Sequence, residues 1–178
     1  MAVEAIAGDK APDLVTPTGT SANVSAARNQ GSGTFGKAAT RATDKGPASP
    51  ALADLDGDGD LDLAVANEAG TLSLLFNKAG KFAPAQNIKM GTRPFYVRAG
   101  DMDLDKDLDL AVVMEGEDRV VVMNNDGKGA LTRGKSYPTG KEPSAMVLGD
   151  LDGDKDLDIV VTNYKDGSLS VILNRAVP

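Results

Sequence analysis

The chain repeats itself, and each repeat is built around a dense run of aspartates. The segment DLDGDGDLDLAVAN begins at Asp54, DMDLDKDLDLAVVM at Asp101 and DLDGDKDLDIVVTN at Asp150. These starts are 47 and 49 residues apart, and a further step of 49 back reaches Ala5, where AIAGDKAPDLVTPT aligns without a gap. Such self-similarity predicts tandem structural units of about 48 residues.

Two further markers support this alignment. A polar, glycine-containing segment beginning with asparagine follows each loop, at Asn29–Phe35, Asn77–Phe82 and Asn125–Leu131. A proline stands shortly before each complete aspartate run, at Pro50, Pro94 and Pro143. We therefore expect a single domain over residues 1–178, with repeats at about 1–47, 48–93, 94–142 and 143–178.

Short apolar runs within each unit indicate strands. Leu110–Val113 and Ile159–Thr162 are rich in β-branched residues, and Leu169–Leu173 alternates between apolar and polar positions. No window predicts an amphipathic helix of 12 residues. Four short antiparallel strands per unit are typical of a propeller blade. The predicted fold class is therefore all-β, a β-propeller of four-stranded antiparallel blades with four repeats, because a β-sandwich does not explain the regular spacing.

The negative charge of the chain is concentrated in the aspartate runs. Asp54–Asp62, Asp101–Asp109 and Asp150–Asp158 hold fifteen aspartates and two lysines, a net −13, whereas the whole chain carries −7. Carboxylates this close repel one another, and the repulsion destabilises a turn unless a cation lies between them.

Each run places aspartate at positions 1, 3, 5, 7 and 9. Side chains at positions 1, 3, 5 and 9, together with the backbone carbonyl of position 7, can converge on one point. Calcium accepts six to eight oxygen ligands in flexible geometry, whereas magnesium retains several waters. The sequence therefore predicts about three Ca²⁺ ions per chain, one in each of three loops. Loop one comprises Asp54, Asp56, Asp58, Asp60 and Asp62; loop two comprises Asp101, Asp103, Asp105, Asp107 and Asp109; loop three comprises Asp150, Asp152, Asp154, Asp156 and Asp158.

Two other interpretations of these loops are weaker. An EF-hand shares the Asp-x-Asp-x-Asp start but needs an acidic residue at position 12 and a following helix. Position 12 is Val65, Val112 or Val161, and the residues after it favour strands. A solvated acidic turn without metal does not account for an alternating register that occurs three times.

The loops are not equivalent in sequence. Position 4 is glycine in loops one and three but Leu104 in loop two, and position 6 is Gly59, Lys106 or Lys155. Lysine at position 6 must adopt an unusual backbone angle and adds positive charge near the ion. We expect loop one to bind calcium most tightly and loop two most weakly. In the first repeat Ala5 and Ala7 replace two of the ligands, so this copy is expected to bind no ion.

From Ala5 to Asn174, the aspartate loop followed by an Asn-x-Gly-x-Gly-x-Phe segment resembles the FG-GAP/VCBS repeat family. This family forms the blades of the integrin α-subunit head and of many bacterial and fungal secreted propellers. The resemblance implies a calcium-binding propeller, extracellular or at the cell surface, used for adhesion or recognition. Family propellers usually have seven blades and this chain has four units. A closed four-bladed ring, an arc completed by a second chain and a piece of a longer protein are the three arrangements, of which we favour the last two.

The expected function is a calcium-stabilised binding or adhesion module that recognises a protein partner. One alternative is a lectin with sugar sites between blades, for which Phe95, Tyr96, Tyr137 and Tyr164 are the candidate aromatic platforms. Another is a structural fragment of a larger secreted propeller with no ligand of its own. The outer faces of the terminal blades are expected to be apolar and unpaired, which favours homo-oligomers.

Other classes of function are not expected. The chain contains no histidine and no cysteine, and it has no nucleophile or phosphate-cradling motif, so we do not expect an enzyme. No basic stripe suits nucleic acid at a net charge of −7. No membrane span is expected, and the first ten residues lack the basic and apolar regions of a signal peptide.

Overall fold

The structure is a computed structural model that describes residues 1–6, 11–19 and 21–175. Regular structure in these residues is β apart from one turn of 3₁₀-helix at Glu115–Glu117. None of the described residues forms a helix of the length and apolar character that crossing a membrane requires. The predicted all-β class is therefore confirmed.

Four antiparallel sheets follow one another along the described part of the chain. Sheet 1 contains β1 (Ala2–Glu4), β2 (Asp13–Pro17), β3 (Asn23–Ala27) and β4 (Ala39–Ala42). Sheet 2 contains β5 (Pro47–Ala53), β6 (Asp62–Asn67), β7 (Thr71–Leu75) and β10 (Gln86–Lys89). Between β7 and β10 the chain forms a small separate hairpin of β8 (Asn77–Lys78) and β9 (Lys81–Phe82). Sheet 3 contains β11 (Pro94–Gly100), β12 (Asp109–Met114), β13 (Arg119–Asn124) and β14 (Thr132–Pro138). Sheet 4 contains β15 (Pro143–Gly149), β16 (Asp158–Asn163) and β17 (Ser168–Ile172).

The second strand of the inner sheets has a continuous apolar run after its first aspartate, because both faces of the strand are covered. Successive side chains of a strand point to opposite faces. In β6, Leu63 and Val65 pack against sheet 1, whereas Ala64 and Ala66 pack against sheet 3. The strand is buried at every position. Sheet 3 is likewise covered on both faces, which explains why these runs are continuous rather than alternating.

Neighbouring sheets are also joined by a buried hydrogen bond that recurs at every interface. An asparagine of one sheet donates from Nδ2 to the backbone carbonyl at position 2 of the preceding aspartate loop. These three asparagine links are Asn77 to Ile6 at 3.2 Å, Asn125 to Leu55 at 2.8 Å and Asn174 to Met102 at 2.7 Å. The asparagine that marks each repeat in the sequence therefore ties adjacent sheets together.

The proline marker requires a correction. Pro94 and Pro143 begin β11 and β15, where they oppose Met114 and Asn163. The residue in the same place of sheet 2 is Pro47, opposite Asn67, and not Pro50. A register shift follows the proline in all three strands, and Pro47, Pro94 and Pro143 each stand seven residues before the first aspartate of their loop, so the bulge keeps a fixed place in every repeat.

Candidate metal centres

The three complete aspartate loops lie at the same end of their sheets. Each connects the first strand of its sheet to the second, and position 9 is the first residue of β6, β12 or β16. Because the sheets are antiparallel meanders stacked in order, the loops form one acidic rim. The hairpins between the second and third strands form the opposite rim.

Each loop gathers three carboxylates whose oxygen atoms all lie within 4.8 Å of one another. In loop one they belong to Asp54, Asp56 and Asp58; in loop two to Asp101, Asp103 and Asp109; in loop three to Asp150, Asp152 and Asp158. Each loop thus brings together three of the four side chains that the sequence predicts as ligands. Asp62, Asp105 and Asp154 complete the predicted sets but lie outside these closest groups.

Backbone amides hold the carboxylates in place within each loop. In loop one, Asp54 accepts hydrogen bonds from the amides of Gly57 at 2.8 Å and Gly59 at 3.0 Å. The amide of Asp58 donates to Asp56 at 3.3 Å, and that of Asp60 donates to Asp58 at 2.9 Å. A carboxylate has about four lone-pair sites. One such bond per oxygen therefore leaves capacity for a cation.

Loop two shows what happens when position 4 is not glycine. Position 4 has φ of 75° at Gly57, 85° at Gly153 and 65° at Leu104, so leucine adopts the same left-handed conformation. In loops one and three the position 4 amide donates to the first aspartate. In loop two, by contrast, Asp101 Oδ1 is buried and has no hydrogen-bond partner among the described residues.

Position 6 also keeps a positive φ whatever residue occupies it. The angle is 90° at Gly59, 80° at Lys106 and 78° at Lys155. The amide of position 6 donates to the first aspartate in all three loops. The unusual backbone angle that the sequence requires of both lysines is therefore observed.

The donor set fits a hard divalent cation. Three or more carboxylates share one small volume, no nitrogen or sulfur ligand is among them, and a buried carboxylate oxygen in loop two lacks a partner. An unpaired buried oxygen costs free energy that a cation would recover. Calcium matches oxygen ligands of this number and kind, and in these loops it would neutralise the repulsion among the aspartates.

The aspartate at position 9 has a second role that the sequence interpretation missed. Asp62 accepts a hydrogen bond from the amide of Leu55 at 3.0 Å and another from the amide of Asn77 at 2.7 Å. Asp109 and Asp158 make the same pair of bonds. We call this arrangement the aspartate clamp. Burial raises the pKa of Asp62 and of Asp109 to about 6.

The clamp is also present in the first repeat. Asp13 accepts hydrogen bonds from the amides of Ile6 at 3.1 Å and Asn29 at 2.8 Å. Ala5 occupies position 1, and Ala7 at position 3 lies outside the described residues. The signal that could have revealed this role was the retention of Asp13, with an asparagine 16 residues later, in a copy that has lost two ligands.

The candidate sugar-binding aromatics are mostly engaged in packing. Tyr96 and Tyr137 pack against the core between sheets 3 and 4. The guanidinium of Arg98 covers the Tyr96 ring at 4.4 Å from its centroid. Tyr164 is exposed in the hairpin of sheet 4. Two of the four candidate rings therefore pack against one core cluster, whereas Tyr164 lies apart in an exposed hairpin.

Comparison with protein families gives three overlapping matches to the FG-GAP-like repeat, over residues 6–65, 54–112 and 101–161. The chain belongs to this family. Each FG-GAP-like match begins at the first or second position of one loop and ends in the second strand of the following sheet. The resemblance read from the sequence is thereby confirmed.

One solved structure shows a similar fold. A crystal structure of BBS1N in complex with ARL6DN, soaked with mercury, aligns with a TM-score of 0.63 and 18% identity, over 99% of this chain and 50% of that one. A lead-soaked structure of the same complex gives 0.47 and 12%, over 91% and 65%. The FG-GAP-like chain thus spans about half the length of the first of these structures. No curated protein matches the sequence.

Proposed function

We propose that the chain is a calcium-stabilised β-propeller module, each sheet forming one blade, that recognises a protein partner and does not catalyse a reaction. The observation that carries the proposal is the gathering of carboxylate oxygens within 4.8 Å in three successive loops. Three Ca²⁺ ions would change the net charge from −7 to about −1.

Calcium in these loops would act as a structural staple. Each loop joins the first two strands of a sheet, and the aspartate clamp ties the same loop to the hairpin that follows the third strand. A cation held by Asp54, Asp56 and Asp58 would fix the loop without the repulsion that the carboxylates impose on one another. The ion would therefore stabilise the loops on which the asparagine links depend.

The rim opposite the loops is the proposed recognition surface. It carries exposed ion pairs between adjacent sheets, including Arg93 with Glu68 at 3.0 Å and Lys141 with Asp118 at 2.6 Å. Exposed pairs of this kind contribute little to stability. Alternating charges on a rigid rim do suit a protein surface bearing both signs. A similar fold in BBS1N forms a complex with the protein ARL6DN, which supports a protein partner here.

An extracellular or cell-surface location follows from the same proposal. Calcium is abundant outside cells, where it would fill all three loops even if their affinity were as low as that of other extracellular modules. The lectin alternative has less support, because Tyr96 is covered by Arg98.

The calcium part is tested by titration calorimetry and thermal unfolding of EGTA-treated protein. We expect heat of calcium uptake, close to three ions per chain and a rise in Tm. A triple variant that changes position 1 of each loop (Asp54→Asn, Asp101→Asn and Asp150→Asn) should lose these effects. Asp166→Asn is the matched control, since it removes one charge on the opposite rim, where Asp166 accepts a hydrogen bond from the Lys141 amide. Absence of calcium uptake by the unaltered protein contradicts the proposal.

Recognition is tested by affinity capture in calcium and in EGTA, followed by binding of each purified captured protein. We expect a partner whose binding is weakened by charge reversal at Arg93 or Lys141. A glycan array run under the same two conditions separates the lectin alternative. Calcium-dependent glycan binding without any protein partner would replace the protein-recognition proposal with the lectin one.

A further inference from the structure

The outward face of sheet 4 exposes apolar side chains at places that sheet 3 buries. Leu169 and Val171 of β17 are 64% and 58% exposed. They occupy the places that Val120 and Val122 hold in sheet 3, as their pairing with the second strand shows. Val120 and Val122 are buried against sheet 4. The outward face of sheet 4 therefore has the composition of an interface between sheets.

The hydrogen-bonding half of the interface is also present on this face. Leu151 stands at position 2 of loop three and is 54% exposed, whereas Leu55 and Met102 at the same place are buried. The carbonyls of Leu55 and Met102 accept the asparagine links. The carbonyl of Leu151 accepts no hydrogen bond from the described residues. Sheet 4 thus offers an acceptor for one further link.

Sheet 1 carries the complementary half on its own outward face. Its asparagine is Asn29, whose Nδ2 donates to the Pro12 carbonyl at 3.1 Å and has no second acceptor among the described residues. Asn77 and Asn125 each donate from Nδ2 to the corresponding carbonyl of their own loop and also to the preceding sheet. Asn29 therefore lacks only the partner that a preceding sheet would supply.

The side chains of this face match the places that pack against a preceding sheet. Val3 pairs with Leu14 in sheet 1, as Leu52 pairs with Leu63 in sheet 2. Leu52 and Leu63 pack on sheet 1, whereas Val3 is 46% exposed. Sheet 1 thus has an open donor and the exposed apolar side chain of Val3 at an interface place, and sheet 4 has an open acceptor and exposed apolar side chains.

We propose that the outward face of sheet 4 binds the outward face of sheet 1 in a second copy of the chain, with Asn29 of that copy donating to the Leu151 carbonyl. This contact continues the stacking already present at three interfaces within the chain. It joins two different faces, so it is head-to-tail and closes into a ring when the rotation permits. The interface goes beyond the proposed function, because it is independent of which partner the module recognises.

Light scattering coupled to size exclusion, in calcium buffer over a range of concentrations, tests the interface. We expect a mass of twice 18.3 kDa or a larger multiple. A mass of one chain at all concentrations overturns the proposal. Because a head-to-tail contact has two distinct halves, Leu169→Lys should block one half and Val3→Lys the other. Each variant alone should be monomeric, because every copy then lacks the same half of the contact, and a variant that still self-associates would contradict the head-to-tail arrangement.

Mixing the two variants decides between head-to-tail and face-to-face contact. The Leu169→Lys chain keeps an intact sheet 1 and the Val3→Lys chain keeps an intact sheet 4, so the mixture should form a dimer with one chain of each. A contact between two copies of sheet 4 would instead leave Val3→Lys self-associated and the mixture without mixed dimers, which overturns the proposal. Tyr164→Lys, in the exposed hairpin of the same sheet, is the control and should keep the unaltered mass.

Asn29→Ala tests the hydrogen bond itself. Loss of one buried hydrogen bond should weaken association about fivefold. Circular dichroism and thermal unfolding of every variant establish that the chain remains folded. Unchanged association by a folded Asn29→Ala chain would contradict the proposed link.

Discussion

The first repeat and the second repeat differ in their metal residues and agree in their clamp. Loop one of the second repeat gathers Asp54, Asp56 and Asp58, whereas the first repeat has Ala5 and Ala7 at the corresponding first two places. Asp13 and Asp62 nevertheless make the same two bonds to backbone amides. The aspartates of one run therefore belong to two functions, one in the fold and one that we propose for calcium.

This difference explains why position 9 persists where other ligands do not. Without the clamp, the amides of Ile6 and Asn29 would be left without the acceptor that holds the loop against the later hairpin. A buried unpaired amide costs about 1–3 kcal/mol. The loop-one amides that bond to the carboxylates at positions 1 and 3 are exposed and can bond to water instead, so those positions can change more freely when no ion is bound.

The largest expected effect comes from removing the clamp. Asp62→Ala and Asp13→Ala each delete two hydrogen bonds to a carboxylate and should each lower the free energy of unfolding by roughly 3 kcal/mol in EGTA. Calcium should increase the cost of Asp62→Ala but leave that of Asp13→Ala unchanged. Urea unfolding with and without calcium measures both.

Asp62→Asn is the matched variant for the clamp, because it keeps one acceptor oxygen and should cost about half as much as alanine. If Asp13→Ala proved neutral while Asp62→Ala were costly only in calcium, position 9 would be a ligand alone. The comparison between the two repeats would then fail.

The next effect comes from restoring the lost ligands of the first repeat. The double variant Ala5→Asp and Ala7→Asp recreates the aspartate pattern, since Asp9 and Asp13 are already present. Calorimetry should then count one more calcium ion than in the unaltered chain. At a calcium concentration 100 times the new Kd, the gain in stability should be about 2.7 kcal/mol. An unchanged stoichiometry would show that more than the ligands separates the repeats.

A smaller effect is expected from exchanging glycine and leucine at position 4. Leu104→Gly should stabilise the calcium-free chain by about 1 kcal/mol, because the left-handed backbone conformation is strained for leucine and unstrained for glycine. Gly153→Leu should cost a similar amount in loop three, where a Cβ would meet no neighbouring atom within 4 Å. Thermal unfolding measures both. Equal and opposite shifts would show that position 4, and not the neighbouring lysines, sets the difference between loops.

Much of this molecule was predictable from the sequence, because periodicity and residue type report directly on strands and ligands. Leu110–Val113 was predicted as strand and lies within β12. The spacing also aligned the loops correctly. The family was identified from the same residues.

The equivalence of Pro47 with Pro94 could have been found from the sequence, because each stands seven residues before the first aspartate of its loop. Other features depend on contacts between residues distant in the chain, which sequence spacing does not give. The asparagine links join residues about 70 positions apart, as in Asn125 to Leu55. The clamp is not evident from the sequence, because metal binding alone accounts for an aspartate at position 9. The hydrogen bonds that Asp62 accepts from two backbone amides show its second, structural role.

The smallest expected effect is a pH dependence carried by the clamp of the complete loops. Burial raises the pKa of Asp62 and Asp109 from 3.8 to about 6 in the folded chain. Between these values the folded state binds more protons than the unfolded state, so calcium-free stability should rise as pH falls from about 7 to about 5. Asp44 and Asp118, whose pKa values are lowered by hydrogen bonds, lose their contribution only below 3.8 and do not act in this window.

Calcium should oppose this trend, because the ion requires ionised carboxylates and its binding releases their protons. Calorimetry near pH 6 in two buffers of different ionisation enthalpy should therefore detect proton release on calcium binding. In EGTA, the double variant Asp62→Asn and Asp109→Asn should show a smaller rise in Tm between about pH 7 and pH 5. A part of the rise should remain, because burial also raises the pKa of Asp103, Glu115 and Asp152. A Tm that instead falls over this range in the unaltered, calcium-free chain would mean that both carboxylates stay ionised in the fold, and the clamp would then be charged with or without metal.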